Sequence, residues 1–395
     1  MTATSASSEL VDSPLAWRMA AIAFTVGFVV YGVLYSFGIF LQPLMADFGA
    51  SRSATSALYG ISSSMFYLVG PVSGSLGVRY GPRFTVIVGA LIMVGGLFAT
   101  ASLSSVWIAY LTYGLCVGVG AGCAYIPTFA ILGGWFERQR TRALSIGAAG
   151  TGCGMLIIPP TAASLVQSIG WRGAMIGLAL LSGALLTACA MFVRAPPRRQ
   201  TERPAPLGEA LTSRSFILMY ASWVFGTMAL IVAIVFLPAF AISEGIDPVA
   251  ASWLISILGG ASIFGRLGIG SVTNPGGTVF LYKVSILAMA ASYIVWLLHP
   301  SYAWLVVFSA ALGLAYGIRI ALVAPVLIVL FGAARLGVLL GSFFTASAIS
   351  GFSGPMVASL VMDASGDQAS AIIAALAMGA IGFLFILPLK APVRR

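Results

Sequence analysis

The sequence predicts an all-α membrane protein that crosses the bilayer twelve times. Of its 395 residues, 60% are hydrophobic and only 8% are charged, and the mean hydropathy is +1.04. A soluble domain needs a more polar composition than this to cover its surface. The apolar residues fall into runs of about 20 residues, enough for a helix to cross the hydrocarbon core of a bilayer. We mark twelve such spans, at residues 15–44, 53–78, 84–103, 105–134, 142–167, 172–193, 215–242, 249–273, 279–298, 301–331, 336–361 and 368–390.

The basic residues predict how these spans are oriented. With the N-terminus in the cytoplasm, sixteen of the twenty Lys and Arg residues lie on the cytoplasmic side, and only Arg52 and Arg172 lie outside. This asymmetry obeys the positive-inside rule and places both termini in the cytoplasm of a protein of the cell (inner) membrane. The net charge of +10 is then a consequence of topology and predicts no nucleic-acid partner. The sixteen are Arg18, Arg79, Arg83, Arg138, Arg140, Arg142, Arg194, Arg198, Arg199, Arg203, Arg214, Lys283, Arg335, Lys390, Arg394 and Arg395.

The two remaining basic residues, Arg266 and Arg319, lie inside spans, whereas all ten Asp and Glu residues lie outside them. An arginine at membrane depth costs roughly 2.5 to 3.5 kcal/mol on insertion scales. Arg319 is about twelve residues, or roughly 18 Å of helix, from the cytoplasmic end of its span, too far for its side chain to reach the headgroups. An anionic ligand is therefore the best counter-ion for this pair. For Arg319 a structural role, bonding the carbonyls of a broken helix, is the alternative.

Span 1 carries Tyr31 and Tyr35 on one helical face, where they either line a pathway or pack against a neighbour. Span 4 is rich in glycine and has Tyr125 near its middle, as a polar aromatic group. The four cysteines all lie in apolar spans and predict neither a disulfide nor a metal site. No phosphate-binding loop, metal-ligand spacing or nucleophile elbow occurs in the sequence, so we expect no cofactor and no enzymatic activity.

The segment GPVSGSLGVRYGPR, at residues 70–83, follows span 2. It resembles the loop signature of the major facilitator superfamily, Gly-x-Leu-x-Asp-Arg-x-Gly-Arg, through Gly74, Leu76, Arg79 and Gly81, although Val78 replaces the aspartate. A weaker copy follows span 8 at residues 270–277. The resemblance implies a major facilitator fold, with two six-helix halves built as inverted repeats. We therefore expect an N-terminal half at 1–193, a proline-rich cytoplasmic linker at 194–214 and a C-terminal half at 215–395.

A second motif, WFERQRTRALSIGAAGTGCG at Trp135–Gly154, resembles the signature of the monocarboxylate transporter family. A further signature of that family, before span 1, is partly kept as Asp12, Ala16 and Trp17. The resemblance implies a secondary active transporter of small carboxylates, driven by proton symport.

The same resemblance suggests residue roles. Arg266 matches the substrate-binding arginine of the family, Ser262 stands where some members have a proton-linked aspartate, and Tyr35 aligns with a lysine of other members. This sequence lacks both that aspartate and that lysine, which weakens the case for carrying over the family's proton mechanism. Our predicted substrate-binding residues are Arg266, Tyr125, Arg319, Tyr35, Tyr31 and Ser262.

The leading hypothesis is a monomeric carrier that moves a lactate-like or pyruvate-like monocarboxylate by alternating access, with the substrate bound near the midplane between the halves. Arg266 would pair with the carboxylate through a bidentate fork, and Tyr125 would donate a hydrogen bond to it. One rival is a dicarboxylate or organic-anion exchanger that uses Arg266 and Arg319 as two fixed charges. A drug exporter is a weaker rival, because the Gly-Pro-x-x-Gly-Gly pattern expected in span 5 is missing. The third rival is a receptor or scaffold protein that has the same fold but does not transport.

Overall fold

The computed structural model describes residues 11–197, 208–268, 275–298, 301–332 and 335–389, and within these ranges every regular element is a helix. The residues outside the described ranges include the central part of the predicted linker, most of the second signature loop with Asn274, His299 and both chain ends.

Eight helices precede the linker. Their bounds are α1 Pro14–Tyr35, α2 Phe37–Phe48, α3 Arg52–Leu68, α4 Gly70–Tyr80, α5 Pro82–Ala101, α6 Val106–Gly134, and the two parts of Arg140–Phe192, α7 at 140–169 and α8 at 171–192. Seven more are described: α9 Gly208–Leu211, which lies inside the predicted linker, α10 Arg214–Ser243, α11 Pro248–Leu267, α12 Pro275–Leu298, α13 Tyr302–Phe331, α14 Leu336–Ser365 and α15 Ala369–Ile386.

Ten helices of the described chain are long and apolar enough to cross a membrane, so the protein is a multi-pass membrane protein. That number counts Arg140–Phe192 once, although Gly170 breaks this stretch with a φ of 75° and separates the predicted spans 5 and 6. The predicted span 2 is also divided, because α3 ends at Leu68 and α4 begins at Gly70. The apolar runs thus predicted the break at Gly170, which falls between two spans, but missed the break inside span 2.

Several helix starts follow from capping residues in the sequence. The Ser13 hydroxyl accepts a hydrogen bond from the N–H of Ala16, and Pro14 occupies the first turn of α1. The Asp247 carboxylate likewise accepts bonds from Val249 and Ala250 at the start of α11. Each cap satisfies backbone N–H groups that the helix itself leaves unpaired. The turn between α4 and α5 is made by Gly81, whose φ of 87° suits glycine, as the loop signature predicts.

The chain separates into two compact units. The first runs to Phe37 and resumes at Ile61 as far as the linker; the second contains Gly38–Gly60 and the residues after the linker. The segment Gly38–Gly60 is thus grouped with the C-terminal helices by its contacts, and the predicted halves at 1–193 and 215–395 stay a prediction.

Glycines bring helix backbones together inside each unit. In the first unit, a Cβ added to Gly150 or Gly154 would collide with the backbone of Phe24 or Phe28, so α7 lies directly against α1. In the second unit, Gly313 and Gly317 of α13 face the backbone of α11 in the same way. Small residues at such contacts allow the close helix approach that is common in membrane proteins.

The two fragments of the monocarboxylate transporter signatures meet in the first unit. The Asp12 carboxylate accepts hydrogen bonds from the N–H groups of Arg138 at 3.0 Å and Gln139 at 3.3 Å. The Trp17 ring meets the Phe136 ring edge-on, with centroids 5.0 Å apart. Segments that are distant in sequence therefore form one structural feature, in which Asp12 satisfies the backbone just before α7.

Candidate functional site

Arg266 lies near the end of α11, one residue after a tight helix contact. Its neighbour Gly265 faces the backbone of α13 at Leu314, and this contact fixes the rotation of the last turn of α11. The Arg266 side chain is half-buried, and its guanidinium carbon lies 5.8 Å from the ring centroid of Tyr316. A guanidinium at the face of a tyrosine is attracted by the ring and is held with a preferred orientation. Arg266 is therefore a positioned cation rather than one that extends freely into solvent.

Ser262, one turn before Arg266, is buried, with 1% of its surface exposed. Its hydroxyl donates a 2.8 Å hydrogen bond to the carbonyl of Gly259 in the same helix. The backbone of Ser262 is also the surface against which Gly317 packs. In this structure Ser262 is thus part of the contact between α11 and α13, and its donor is used within its own helix.

Arg319, in the middle of α13, is enclosed within the second unit, with 1% of its surface exposed. It donates a 2.9 Å hydrogen bond to the carbonyl of Trp223 on α10, and its guanidinium carbon lies 4.4 Å from the Trp223 ring centroid. The buried hydroxyl of Tyr282 on α12 lies near the same guanidinium but makes no hydrogen bond within the described residues. The bond to the Trp223 carbonyl and the contact with its ring join α13 to α10. They are typical of a residue that braces helices, whereas the substrate role of Arg319 stays a prediction.

The space for this guanidinium depends on a glycine. A Cβ at Gly226, one turn after Trp223, would lie 3.1 Å from Nη1 of Arg319. The Trp223 indole N–H donates a 2.9 Å bond to Ser347 on α14, so the ring above the guanidinium is itself fixed. Arg319, Trp223 and Gly226 therefore form one packed group inside the second unit.

The three predicted tyrosines come together in the first unit. The Tyr31 ring centroid is 5.4 Å from that of Tyr35 and 5.2 Å from that of Tyr125, and both pairs are edge-to-face. The ring of Phe66 completes the group at 5.4 Å from Tyr31. Gly27 leaves room for Tyr125, because a Cβ there would lie 3.1 Å from Cε2 of that ring. All three tyrosines are half-buried, so the cluster is neither a surface patch nor a closed core.

The predicted site residues thus divide between the two units: the tyrosines belong to the first and Arg266, Ser262 and Arg319 to the second. The sequence reasoning missed Tyr316, which lies against Arg266, and the pairing of Trp223 with Arg319. Tyr316 lies on the same helix as Arg319 and three residues before it, but nothing in that spacing points to Arg266 on a different helix. Both partners are contacts between helices, which a single-helix pattern does not specify.

The chemistry offered by these residues is recognition of an anion. A guanidinium presents donors in a planar fork that matches a carboxylate, and tyrosine hydroxyls add neutral donors beside an aromatic wall. The six residues include no carboxylate or imidazole that would act as a general acid or base. The set is therefore suited to binding rather than to catalysis.

Comparisons with known proteins agree with this chemistry. A family model described as Major Facilitator Superfamily matches residues 23–355. Monocarboxylate transporter 3 of Rattus norvegicus is 30% identical over 371 residues, which cover 89% of this chain and 75% of the relative. Monocarboxylate transporter 4 of the same species is 27% identical over 360 residues, which cover 85% of this chain and 76% of that relative.

A solved structure resembles the fold. The inward-facing, unoccupied form of a bacterial homologue of the human lysosomal transporter Spinster superposes with a TM-score of 0.74 at 13% identity, covering 95% of this chain and 98% of that one. At this identity the likeness concerns the fold alone.

Proposed function

The chain belongs to the major facilitator superfamily and, within it, to the monocarboxylate transporter family, and from this membership we propose that it carries a small monocarboxylate across the cell membrane with Arg266 as the carboxylate ligand. It is a transporter and not an enzyme. The relatives are named for monocarboxylates, which supports a substrate of that class, of the size of lactate or pyruvate.

One observation carries the proposal: Arg266 is a half-buried arginine near the end of an apolar helix, set against the ring of Tyr316. A guanidinium held against an aromatic ring in this way presents a fixed cation to an anionic ligand. Because Gly265 fixes the last turn of the helix, the guanidinium is preorganised for a two-point contact with a carboxylate. We propose Tyr125 as a further substrate-binding residue, a hydrogen-bond donor to the carboxylate, as the sequence predicts.

The surroundings of Arg319 favour a monoanion over a dianion. A dicarboxylate exchanger needs a second exposed cation, whereas Arg319 is 1% exposed and its guanidinium is engaged with Trp223. One arginine that is accessible to substrate suits a single carboxylate. This supports the monocarboxylate class against the exchanger alternative.

The finer features of the proposal follow from the family. We propose twelve spans arranged as two six-helix inverted repeats, with α1 and α2 together forming one span, α3 and α4 forming another, α7 and α8 forming two, and the short α9 forming none. Both termini would lie in the cytoplasm, the protein would act as a monomer in the cell (inner) membrane, and transport would proceed by alternating access with proton symport.

Uptake by purified protein in liposomes tests this function. We expect saturable uptake of radiolabelled lactate or pyruvate, and loss of that uptake in Arg266→Gln although the variant still folds. The matched control is Arg172→Gln, which removes an arginine of the first unit that donates to the carbonyl of Leu103 and the hydroxyl of Ser104. Uptake that survives Arg266→Gln, or that is lost equally in the control, contradicts the assigned role of Arg266.

A further inference from the structure

The second unit contains a cavity of about 420 Å³ that is separate from Arg266 and Arg319. Its walls come from α2 and the start of α3, from the last turns of α10, α12 and α14, and from the start of α15. The volume falls within the range of ligand pockets, roughly 300 to 1,000 Å³. None of the residues predicted from the sequence as substrate ligands lines it.

Most of the wall is apolar and partly aromatic. Phe236 and Phe240 of α10 and Trp296 of α12 form one side, and Met45 and Met362 form part of another. Methionine side chains adapt to the shape of a guest, and aromatic rings supply flat contact area. This part of the cavity suits a compact hydrophobic group.

One cation lies at the same cavity. Arg52, at the start of α3, is half-buried and donates a hydrogen bond from Nη1 to the sulfur of Met362 at 3.6 Å. A thioether is a weak acceptor, so this bond uses little of the donor capacity of a guanidinium, which has five N–H groups. The nearby Asp363 carboxylate accepts a bond from the backbone N–H of Ser53 at 3.2 Å. Among the contacts that the structure describes for Arg52, none is with a carboxylate.

Two amides complete the polar side of the wall. Gln368 accepts a hydrogen bond from the Ser243 hydroxyl at 3.1 Å through its carbonyl oxygen, which directs its amino group to act as a donor elsewhere. Gln42 donates from its amino group to the carbonyl of Ala239 at 3.1 Å and is held in place by that bond. The cavity thus combines the guanidinium of Arg52, the amide of Gln368 and a wall of aromatic rings. These groups together suit the binding of a carboxylate that has an apolar body.

We propose that this cavity binds a compact carboxylate with an apolar or aromatic body, with Arg52 pairing with the carboxylate and Phe236, Phe240 and Trp296 enclosing the body. The site is distinct from the substrate position assigned to Arg266 and does not depend on it. A bound ligand joins α2 and α3 to α10 and α14, so binding raises the melting temperature of the protein.

The test uses 3-phenylpropanoate as the probe and 3-phenylpropanamide as its uncharged match. Both are titrated by calorimetry into purified full-length Arg266→Gln in detergent, so that binding at the proposed transport site does not contribute. We expect saturable binding of one 3-phenylpropanoate per chain with a rise in melting temperature, and binding of the amide that is weaker by about tenfold or more, because it lacks the charge-assisted bond.

Two further substitutions, each made in the Arg266→Gln background, locate the site. Arg52→Gln should weaken 3-phenylpropanoate binding by about tenfold or more. Ala46→Phe, at an exposed position on the cavity wall, should abolish the binding of both probes by filling the space. It keeps the test valid if Arg52→Gln does not fold.

The control Arg172→Gln removes an arginine of the other unit and should leave binding unchanged. No binding in Arg266→Gln, or binding that is unaffected by Arg52→Gln and by Ala46→Phe, overturns the proposal.

Discussion

Arg319 stacks on the ring of Trp223 at 4.4 Å and donates a hydrogen bond to the carbonyl of that same residue. One tryptophan thus contacts a buried guanidinium through its side chain and through its backbone. Because Trp223 belongs to α10 and Arg319 to α13, this pair connects two membrane helices that are far apart in sequence. The pair stabilises the second unit where no Asp or Glu of the predicted spans is available as a partner.

Arg319→Gln should lower stability and leave monocarboxylate binding nearly unchanged. The loss of the bond to Trp223 and of the stacking costs about 2 kcal/mol, which thermal unfolding in detergent will detect. We expect the KM for monocarboxylate uptake to change by less than about twofold. Gly226→Ala is the companion variant, because its Cβ would crowd Nη1 of Arg319 at 3.1 Å and lower stability in the same direction. A tenfold higher KM with normal stability would instead make Arg319 a substrate ligand, and a selective loss of dicarboxylate uptake would support the exchanger alternative.

Arg266→Lys should lose most substrate binding although its charge is kept. An ammonium group presents a point charge and cannot reproduce the planar two-donor fork, so we expect the KM to rise about tenfold or more. The measurement is the concentration dependence of uptake in liposomes that contain equal amounts of folded protein. Uptake by the lysine variant at the wild-type level would rule out a bidentate contact.

Tyr125→Phe isolates the hydroxyl from the ring. The phenyl ring keeps its edge-to-face contact with Tyr31 and its stacking on Phe129, so the melting temperature should not change. If the hydroxyl donates to the bound anion, the KM should rise about tenfold, in keeping with a hydrogen bond to a charged group. Tyr80→Phe, at an exposed tyrosine of the same unit that is not a predicted ligand, is the matched control, and an equal effect there would count against a specific role for Tyr125.

Asp12→Ala should destabilise the first unit by about 1 to 2 kcal/mol, because two backbone N–H groups at the start of α7 lose their acceptor. Asp12→Asn retains an oxygen acceptor and tolerates the positive φ of 56° at this position, so it should recover most of the loss. Thermal unfolding compares the two variants. Equal melting temperatures for Asp12→Ala and the wild type would show that these bonds do not contribute to stability.

Uptake should respond to an imposed pH gradient. All ten Asp and Glu residues lie outside the predicted spans, so a coupled proton must travel with the substrate or on a group whose ionisation the anion changes. Initial rates in liposomes with an acidic exterior, compared with rates at equal pH on both sides, measure the coupling. Rates that ignore the gradient but increase when unlabelled anion is preloaded inside would favour exchange over symport.

Composition and motifs were sufficient to predict the class of fold, because apolar runs and loop signatures are local properties of the chain. The four-residue spacing of Tyr31 and Tyr35 also predicted that they lie on one helical face. The contact between Tyr316 and Arg266, the enclosure of Arg319 by Trp223 and Tyr282, and the grouping of Gly38–Gly60 with the second unit were not predicted. Each of these depends on which helices are neighbours and on how each is rotated, and neither property is encoded in the periodicity of a single span.

The backbone contact of α11 with Gly313 and Gly317 has a consequence for the redesign of selectivity. Since the register of the arginine-bearing helix is set by main-chain atoms, side chains elsewhere around the substrate can be exchanged without moving the guanidinium. Libraries that vary the predicted ligands Tyr31, Tyr35 and Tyr125 would therefore test whether these tyrosines select the body of the carboxylate. Substitutions at Gly313 or Gly317 would instead shift the anchor itself, so these two positions are the ones to keep constant in such libraries.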